Sequence, residues 1–223
     1  MVEWNGDAVA VCTSVAVLLA YGALVVFLAW RRPASMAYAV HRKVRLLWVR
    51  GVMRDRSKDV MAVQTLRNYV MAATFKASSA VLLLIGTLTL SAQVDHLAKA
   101  WHVLSPAAGL QGDWWIAKLV CLLSTLIIAF FAFAMVIRNL NHVLFMIGLP
   151  TSDAQGDLAP ERIAMRLNQA GTFYTLGMRA FFLTVPLVFW FFGPLFLVGA
   201  TVVTVSIFHV LDQSPSPGSG STT

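Results

Sequence analysis

Four stretches of this chain stay apolar for about the 20 residues that a helix needs to cross a bilayer. They run Asp7–Trp30, Tyr69–Ala92, Asp113–Ile137 and Ala180–Leu211. The first carries no charge after Asp7 until Arg31, the second is interrupted by Lys76, and the third by Lys118 near its start. No breaker lies between Lys58 and Gly86, so the second helix is expected to begin well before its apolar part, near Ser57. Pro186 and the Gly193-Pro194 pair sit inside the fourth stretch, where they predict a kink or a tilt within one long span. The pattern predicts an all-α integral membrane protein. It is a four-helix bundle forming one domain over residues 1–211, followed by a disordered tail at 212–223, "SPSPGSGSTT" with its flank.

The polar connections have patterns of their own. In "WRRPASMAYAVHRKVRLLWVRGVMRDRSKD", Met36, Val40, Val44, Leu47 and Trp48 recur on one helical face. Arg42, Lys43, Arg45 and Arg50 fall elsewhere around the wheel. That arrangement predicts an amphipathic helix lying in the membrane interface, its cations toward anionic headgroups. The later connection starts a helix at "GDLAPERIAMRL", with Asp157 as the expected N-cap and Pro160 and Glu161 in the first turn. Ile163, Leu167 and Ala170 share a face there, and Arg162 and Arg166 share another, so a second interfacial helix is expected to lead into the fourth span.

Composition rules out a soluble domain. Only 12% of residues are charged and 58% are hydrophobic, against about 25% charged in a typical soluble domain. The net charge is +7, and its placement sets the orientation. Outside the spans, Lys and Arg number none before the first, ten before the second, one (Lys99) before the third, four before the fourth and none after it. The positive-inside rule then makes the first and third connections cytoplasmic, with both termini on the outer side, periplasmic in a bacterial inner membrane. The first span is too long, and too acidic at its start, for a cleaved signal, and is read as a retained anchor. Trp30, Trp101, Trp114 and Trp115 fall where interfacial aromatic belts are expected.

Catalytic chemistry is not evident. There is no nucleophile elbow, phosphate loop, dinucleotide fingerprint or zinc-protease motif. Lys76 and Lys118 are the charges within spans; at opposite depths they cannot pair, and each is expected to snorkel to its nearer interface. Asp95, His96, His102 and His209 are all assigned to the outer side but match no ligand spacing, so neither a metal nor another cofactor is expected. Cys12 and Cys121 are read as buried free thiols, and Ala8, Cys12, Ala16 and Ala20 as a small-residue packing stripe. The most ordered polar set lies at the inner helix ends. Arg67, Asn68, Lys76, Arg138, Asn139, Asn141 and Arg179 are candidates for a polar vestibule or for lipid headgroup contacts.

The segments "LRNYVMAATFKAS", "KLVCLLSTLIIAFFAFAMVIRNLNHVLFMIGLP" and "GMRAFFLTVPLVFWFFGPLFLVGATVVTV" resemble the domain-of-unknown-function 599 family of multi-pass membrane proteins. Gly177, Arg179, Ala180, Trp190 and Pro194 carry the last part of the likeness. The resemblance implies a four-helix membrane protein and no reaction. The expected function is therefore a non-catalytic structural or accessory subunit of a membrane complex, with a small transporter or channel as the alternative. The expected partners are a bilayer with anionic lipids and other membrane subunits or further copies of the chain. Nucleic acid is not expected, because the basic segment lacks any accompanying recognition motif.

Overall fold

The computed structural model describes residues 2–31, 37–92, 112–149 and 155–212, and these contain helices and turns with no strand. The helices are α1 Val2–Arg31, α2 Ala37–Arg54, α3 Asp59–Ser91, α4 Gly112–Met146, α5 Pro160–Trp190 and α6 Pro194–Asp212. Short 3-10 turns at Arg56–Lys58 and Gly156–Leu158 precede α3 and α5. Four segments are long and apolar enough to cross a membrane: Gly6–Ala23, Arg56–Ser91, Trp115–Met146 and Pro160–Trp190. Pro194–Val210 is a shorter apolar helix.

The centre of the fold is a seam shared by α3, α4 and α5. On α4 a buried row runs through Leu122, Leu126, Ala129, Phe133, Val136, Leu140 and Val143 and on to Ile147 just past the helix end, with Ala132 buried beside it. The row alternates steps of four and three, the 3.5-residue period that keeps one helix face against its neighbours. Ile163, Leu167, Ala170 and Gly177 continue the period on α5, and Ala62, Leu66, Ala73, Ala77 and Ala80 on α3. Small residues let the helices approach where the one large side chain, Phe133, is wholly buried among Ala77, Ala80, Ala129 and Ala180. A Cβ added at Gly177 would stand 2.9 Å from the Phe133 ring, so that ring occupies the glycine's missing side chain. At 35 residues α4 extends about 52 Å. That exceeds the roughly 30 Å of a hydrocarbon core, so part of the seam projects beyond it.

The fourth apolar stretch is two helices and not one, so the kink expected within a single helix is a complete break. The helix runs unbroken through Pro186 and ends after Trp190. Three tight bonds close it: Phe191 N to Val188 O, Phe192 N to Phe189 O and Gly193 N to Trp190 O, at 3.1–3.2 Å. Gly193 then takes φ +140, a conformation open to glycine and strained for other residues. Pro194 starts α6, where its missing N–H costs nothing. The chain doubles back: Phe208 on α6 meets Phe182 on α5 at 6.2 Å between ring centroids, and the Arg179 guanidinium lies over the same Phe208 ring at 6.0 Å. Trp190 meanwhile packs beside Leu197. The α6 C-terminus therefore points back toward the end from which α5 started.

α1 runs parallel to α6. Ala10 packs with Trp190 and Leu197 at one end, and Tyr21 meets Phe208 at 6.3 Å further along. Its packed positions are Ala10, Ser14 and Tyr21. The expected stripe of small residues is not the packing face: Ala8 is half-buried, while Cys12, Ala16 and Ala20 are exposed. Cys12 and Cys121 are both free and exposed on the chain surface, not buried.

α2 departs from the expected interfacial helix in one respect. Val49, Val52 and Met53 are buried against the ends of α3, α4 and α5 in a common core with Leu66, Leu140, Val143 and Ile163. Val44 and Leu47, from the expected apolar face, remain about half exposed, and Trp48 lies between the two strips. Met36 and the side chain of Val40 lie outside the described residues. The α2 face that the periodicity assigned to lipid is thus only one of two, and the other docks on the bundle. The second interfacial helix is likewise part of α5, which is continuous from Pro160; its N-cap position is Ala159, not Asp157. The start of α3 at Asp59, with a turn from Arg56, agrees with the expected early beginning.

Candidate functional site

The basic end is assembled by cross-connections between segments far apart in sequence. Arg50 on α2 donates from Nε and Nη2 to Oε1 of Glu161 on α5, at 3.1 and 2.7 Å. Arg45, one and a half turns earlier, donates to Asn168 Oδ1 at 3.3 Å, and its guanidinium lies in the notch left by Gly171. Arg56 donates to the Gly148 carbonyl at 3.1 Å, meeting the negative end of α4. Between α2 and α3, Asp55 accepts from Ser57 N and Ser57 Oγ at 3.1 and 2.6 Å and pairs with Lys58 at 3.1 Å. The Ser57 hydrogen bonds, then those of Lys58, hold the Asp55 carboxyl below the usual carboxylate range. Both basic connections thus meet at one end of the bundle.

Two grooves open on either side of the α5 ridge there. One, of about 400 Å³, lies between α4 and α5 and is lined by Arg138, Asn139, His142, Arg166, Gln169 and Thr172, with Met135 and Phe173 at its apolar end. The other, of about 760 Å³, lies between α2 and α5 and is lined by Arg42, Lys43, Glu161, Arg162 and Asn168 among others. Gln169 and Thr172 border both. The Thr172 hydroxyl donates to the Asn168 carbonyl at 3.1 Å, so its oxygen can still accept a hydrogen bond.

The residues expected to form one vestibule are divided among several surfaces. Arg138 and Asn139 share the α4–α5 groove with His142, while Asn141 is exposed and takes no part in its lining. Arg67 and Asn68 are exposed on α3 and line neither groove. Lys76 is half-buried with its ammonium 5.4 Å from the Tyr174 ring centroid, an aromatic contact that snorkelling did not anticipate. Arg179 belongs to the α5–α6 hairpin through Phe208. Of the basic-helix residues, Arg42 and Lys43 are exposed and line a groove, whereas Arg45 and Arg50 are engaged with α5. Sequence reasoning missed Arg166, Gln169, Thr172 and Glu161 as lining residues. The three-residue spacing of Arg166, Gln169 and Thr172 along α5 was the available signal.

At the opposite end is a polar cluster that the pattern argued against. Asp7 Oδ1 accepts from Trp190 Nε1 at 2.8 Å and lies 3.7 Å from Lys118 Nζ. Lys118 also stands over the Trp190 ring at 5.4 Å. The two charged side chains are only 17% and 13% exposed. Lys118 does not snorkel outward; it turns inward to a carboxylate at its own depth. Trp115 packs edge-on against Phe191 at 4.9 Å beside this cluster. Trp101 and the side chains of Trp30 and Trp114 lie outside the described residues.

No group of three or more His, Cys, Asp or Glu that could hold a metal occurs among the described residues. His209 follows Phe208 on α6, near Arg179, at the other end of the bundle from Asp7 and Lys118, with which it was expected to share a side. Asp95, His96 and His102 lie outside the described residues.

The chain matches the family described as protein of unknown function, DUF599, over residues 9–216, and it belongs to that family. No curated protein and no solved structure matches it.

Proposed function

We propose that this protein is a non-catalytic, multi-pass accessory subunit of a complex in the bacterial inner membrane, with its basic end in the cytoplasm. The observation that carries this reading is the filled seam. From Ile147 and Ile163 at the basic end to Leu126 and Leu122 beyond Phe133, the space between α3, α4 and α5 is occupied by buried apolar side chains. Interiors packed in this way leave no room for a hydrated path. The large apolar residues left outside, such as Phe75, Leu82, Phe131 and Val203, suit lipid or neighbouring spans. The positive-inside rule supports a cytoplasmic basic end.

A small transporter is the second reading, and the part-buried Asp7–Lys118 pair favours it, because intramembrane charge marks transport pathways in other proteins. Mild purification from native membranes, followed by reconstitution, separates the two. A stoichiometric partner that is lost with substitutions on the lipid-facing surface supports the accessory role. Solute or ion flux into liposomes holding the pure protein overturns it.

A further inference from the structure

We propose that the α4–α5 groove is a specific binding site for the phosphate of an anionic phospholipid from the basic-end leaflet. The groove's lining contains two guanidinium groups, Arg138 and Arg166, and no acidic side chain. Both arginines are exposed, so neither is held in the packed seam. They come from facing helices, and a phosphate between them receives charge-assisted hydrogen bonds from two directions. Asn139, His142 and Gln169 supply further polar contacts for the phosphate and glycerol oxygens.

The polarity of the groove along its length selects a lipid over a soluble phosphate. Met135 and Phe173 close the groove on the side away from the basic end. One turn further in the same direction, Phe131 on α4 and Leu176 on α5 are large, apolar and exposed. Cations at one end and an open apolar surface running on from the other match a headgroup joined to an acyl chain. A soluble phosphate ester would use the first half and leave the second in water. The proposal rests on the basic end being a membrane surface, not on the accessory role, so it survives if the protein proves to be a transporter.

The test uses the full chain in detergent. Retention of phosphatidylglycerol and phosphatidylcholine is compared by native mass spectrometry, with inorganic phosphate as a competitor. A first tightly held phosphatidylglycerol is expected, preferred over phosphatidylcholine. Each surface cation adds about a fivefold factor, so Arg138→Gln with Arg166→Gln should reduce the preference roughly 25-fold. Arg67→Gln, on an exposed cation outside the groove, should leave it unchanged. If the double variant does not fold, each single variant should still show about a fivefold loss. Equal retention of both lipids overturns the site. So does a loss in Arg67→Gln equal to that in the double variant, which signals general surface charge. Displacement by millimolar inorganic phosphate without loss of the apolar contacts transfers the site to a soluble phosphate ligand and overturns the lipid assignment.

Discussion

Asp7 and Lys118 meet at 3.7 Å across α1 and α4, in surroundings that leave each side chain less than one-fifth exposed. The Trp190 indole shares the Asp7 carboxylate, so three helices converge on one oxygen. Removing a single member of such a part-buried pair leaves the other charge without its counter-charge in a poorly solvated place, which destabilises the fold. Lys118→Met should therefore lower stability sharply. Asp7→Asn combined with Lys118→Met should recover most of the loss, because no charge remains to desolvate and the amide oxygen still accepts from Trp190. Denaturation in detergent followed by tryptophan fluorescence measures both. Losses that simply add would show that the two groups are not coupled.

Two glycines on α5 predict opposite behaviour. At Gly177 a methyl group meets the ring of Phe133, which is fully buried and cannot step aside. Gly177→Ala should cost about 1–3 kcal/mol by overpacking. At Gly171 the obstacle is the Arg45 guanidinium, the free end of a long side chain. Gly171→Ala should unseat Arg45 from Asn168 while the fold persists. In an Arg45→Ala background the obstacle is gone, and Gly171→Ala should stabilise by up to about 1 kcal/mol through helix propensity. The sign change between backgrounds is the measurement, and the same sign in both would show that Arg45 does not occupy the notch.

The helices that emerge from the apolar runs were legible because length and hydrophobicity alone define them. The seam was not. On α4, Phe131 is exposed and Phe133 is wholly buried, yet both are phenylalanine within one apolar run. Lipid-facing and core-facing positions have the same chemistry, so periodicity carries no contrast. The amphipathic α2 shows the same ambiguity, since Val44 and Val49 look alike and only Val49 reaches the core. The groove was partly legible: Arg138 and Asn139 were named from depth, but Arg166 and Gln169 belong to a segment whose continuity with α5 was not apparent. The Asp7–Lys118 pair was hidden because its partners are more than a hundred residues apart and Asp7 stands at the edge of its span.

The docking of α2 tests which forces hold the basic end together. The Arg50–Glu161 pair is 43% and 55% exposed, and pairs of that kind contribute about 0–1 kcal/mol. Glu161→Gln should therefore shift stability little. Met53 is 5% exposed in the shared core, and Met53→Ala should cost about 2–5 kcal/mol. Limited proteolysis between α2 and α3 should accelerate in Met53→Ala and not in Glu161→Gln. Equal sensitivity of the two would mean that the ion pair, not burial, seats the helix.

Acid should spare the Asp55 turn until well below neutral pH. Its carboxyl is held lower in the fold than in an unfolded chain, chiefly by Ser57. The contribution is therefore fully present above the unfolded carboxylate range and is lost as pH falls through the lower folded value. A carboxyl titration by NMR should place the Asp55 midpoint below that of the ordinary carboxylates, and Ser57→Ala should move it upward.

The hairpin at Gly193 makes a topological prediction that the single-span reading reverses. α6 has 19 residues, about 28 Å of helix, and runs back from Trp190 toward the level of Arg179 with no charge before Asp212. If α1, α3, α4, α5 and α6 each cross, the crossings are odd in number and the end of α6 lies on the same side as Arg50 and Arg56. A phosphatase fused after Gly193, with α6 deleted, should be exported and active in a bacterial host. The same enzyme fused after Asp212 should be inactive, and a fluorescent protein at that position should fluoresce. A single tilted span over 180–211 places the Asp212 fusion outside and active. Gly193→Ala adds a physical check, because φ +140 is strained for alanine. That variant should be destabilised, and its Asp212 fusions should show mixed reporter activity as a fraction of chains fails to turn. Full phosphatase activity after Asp212 in the parent chain would establish that α6 does not return across the membrane.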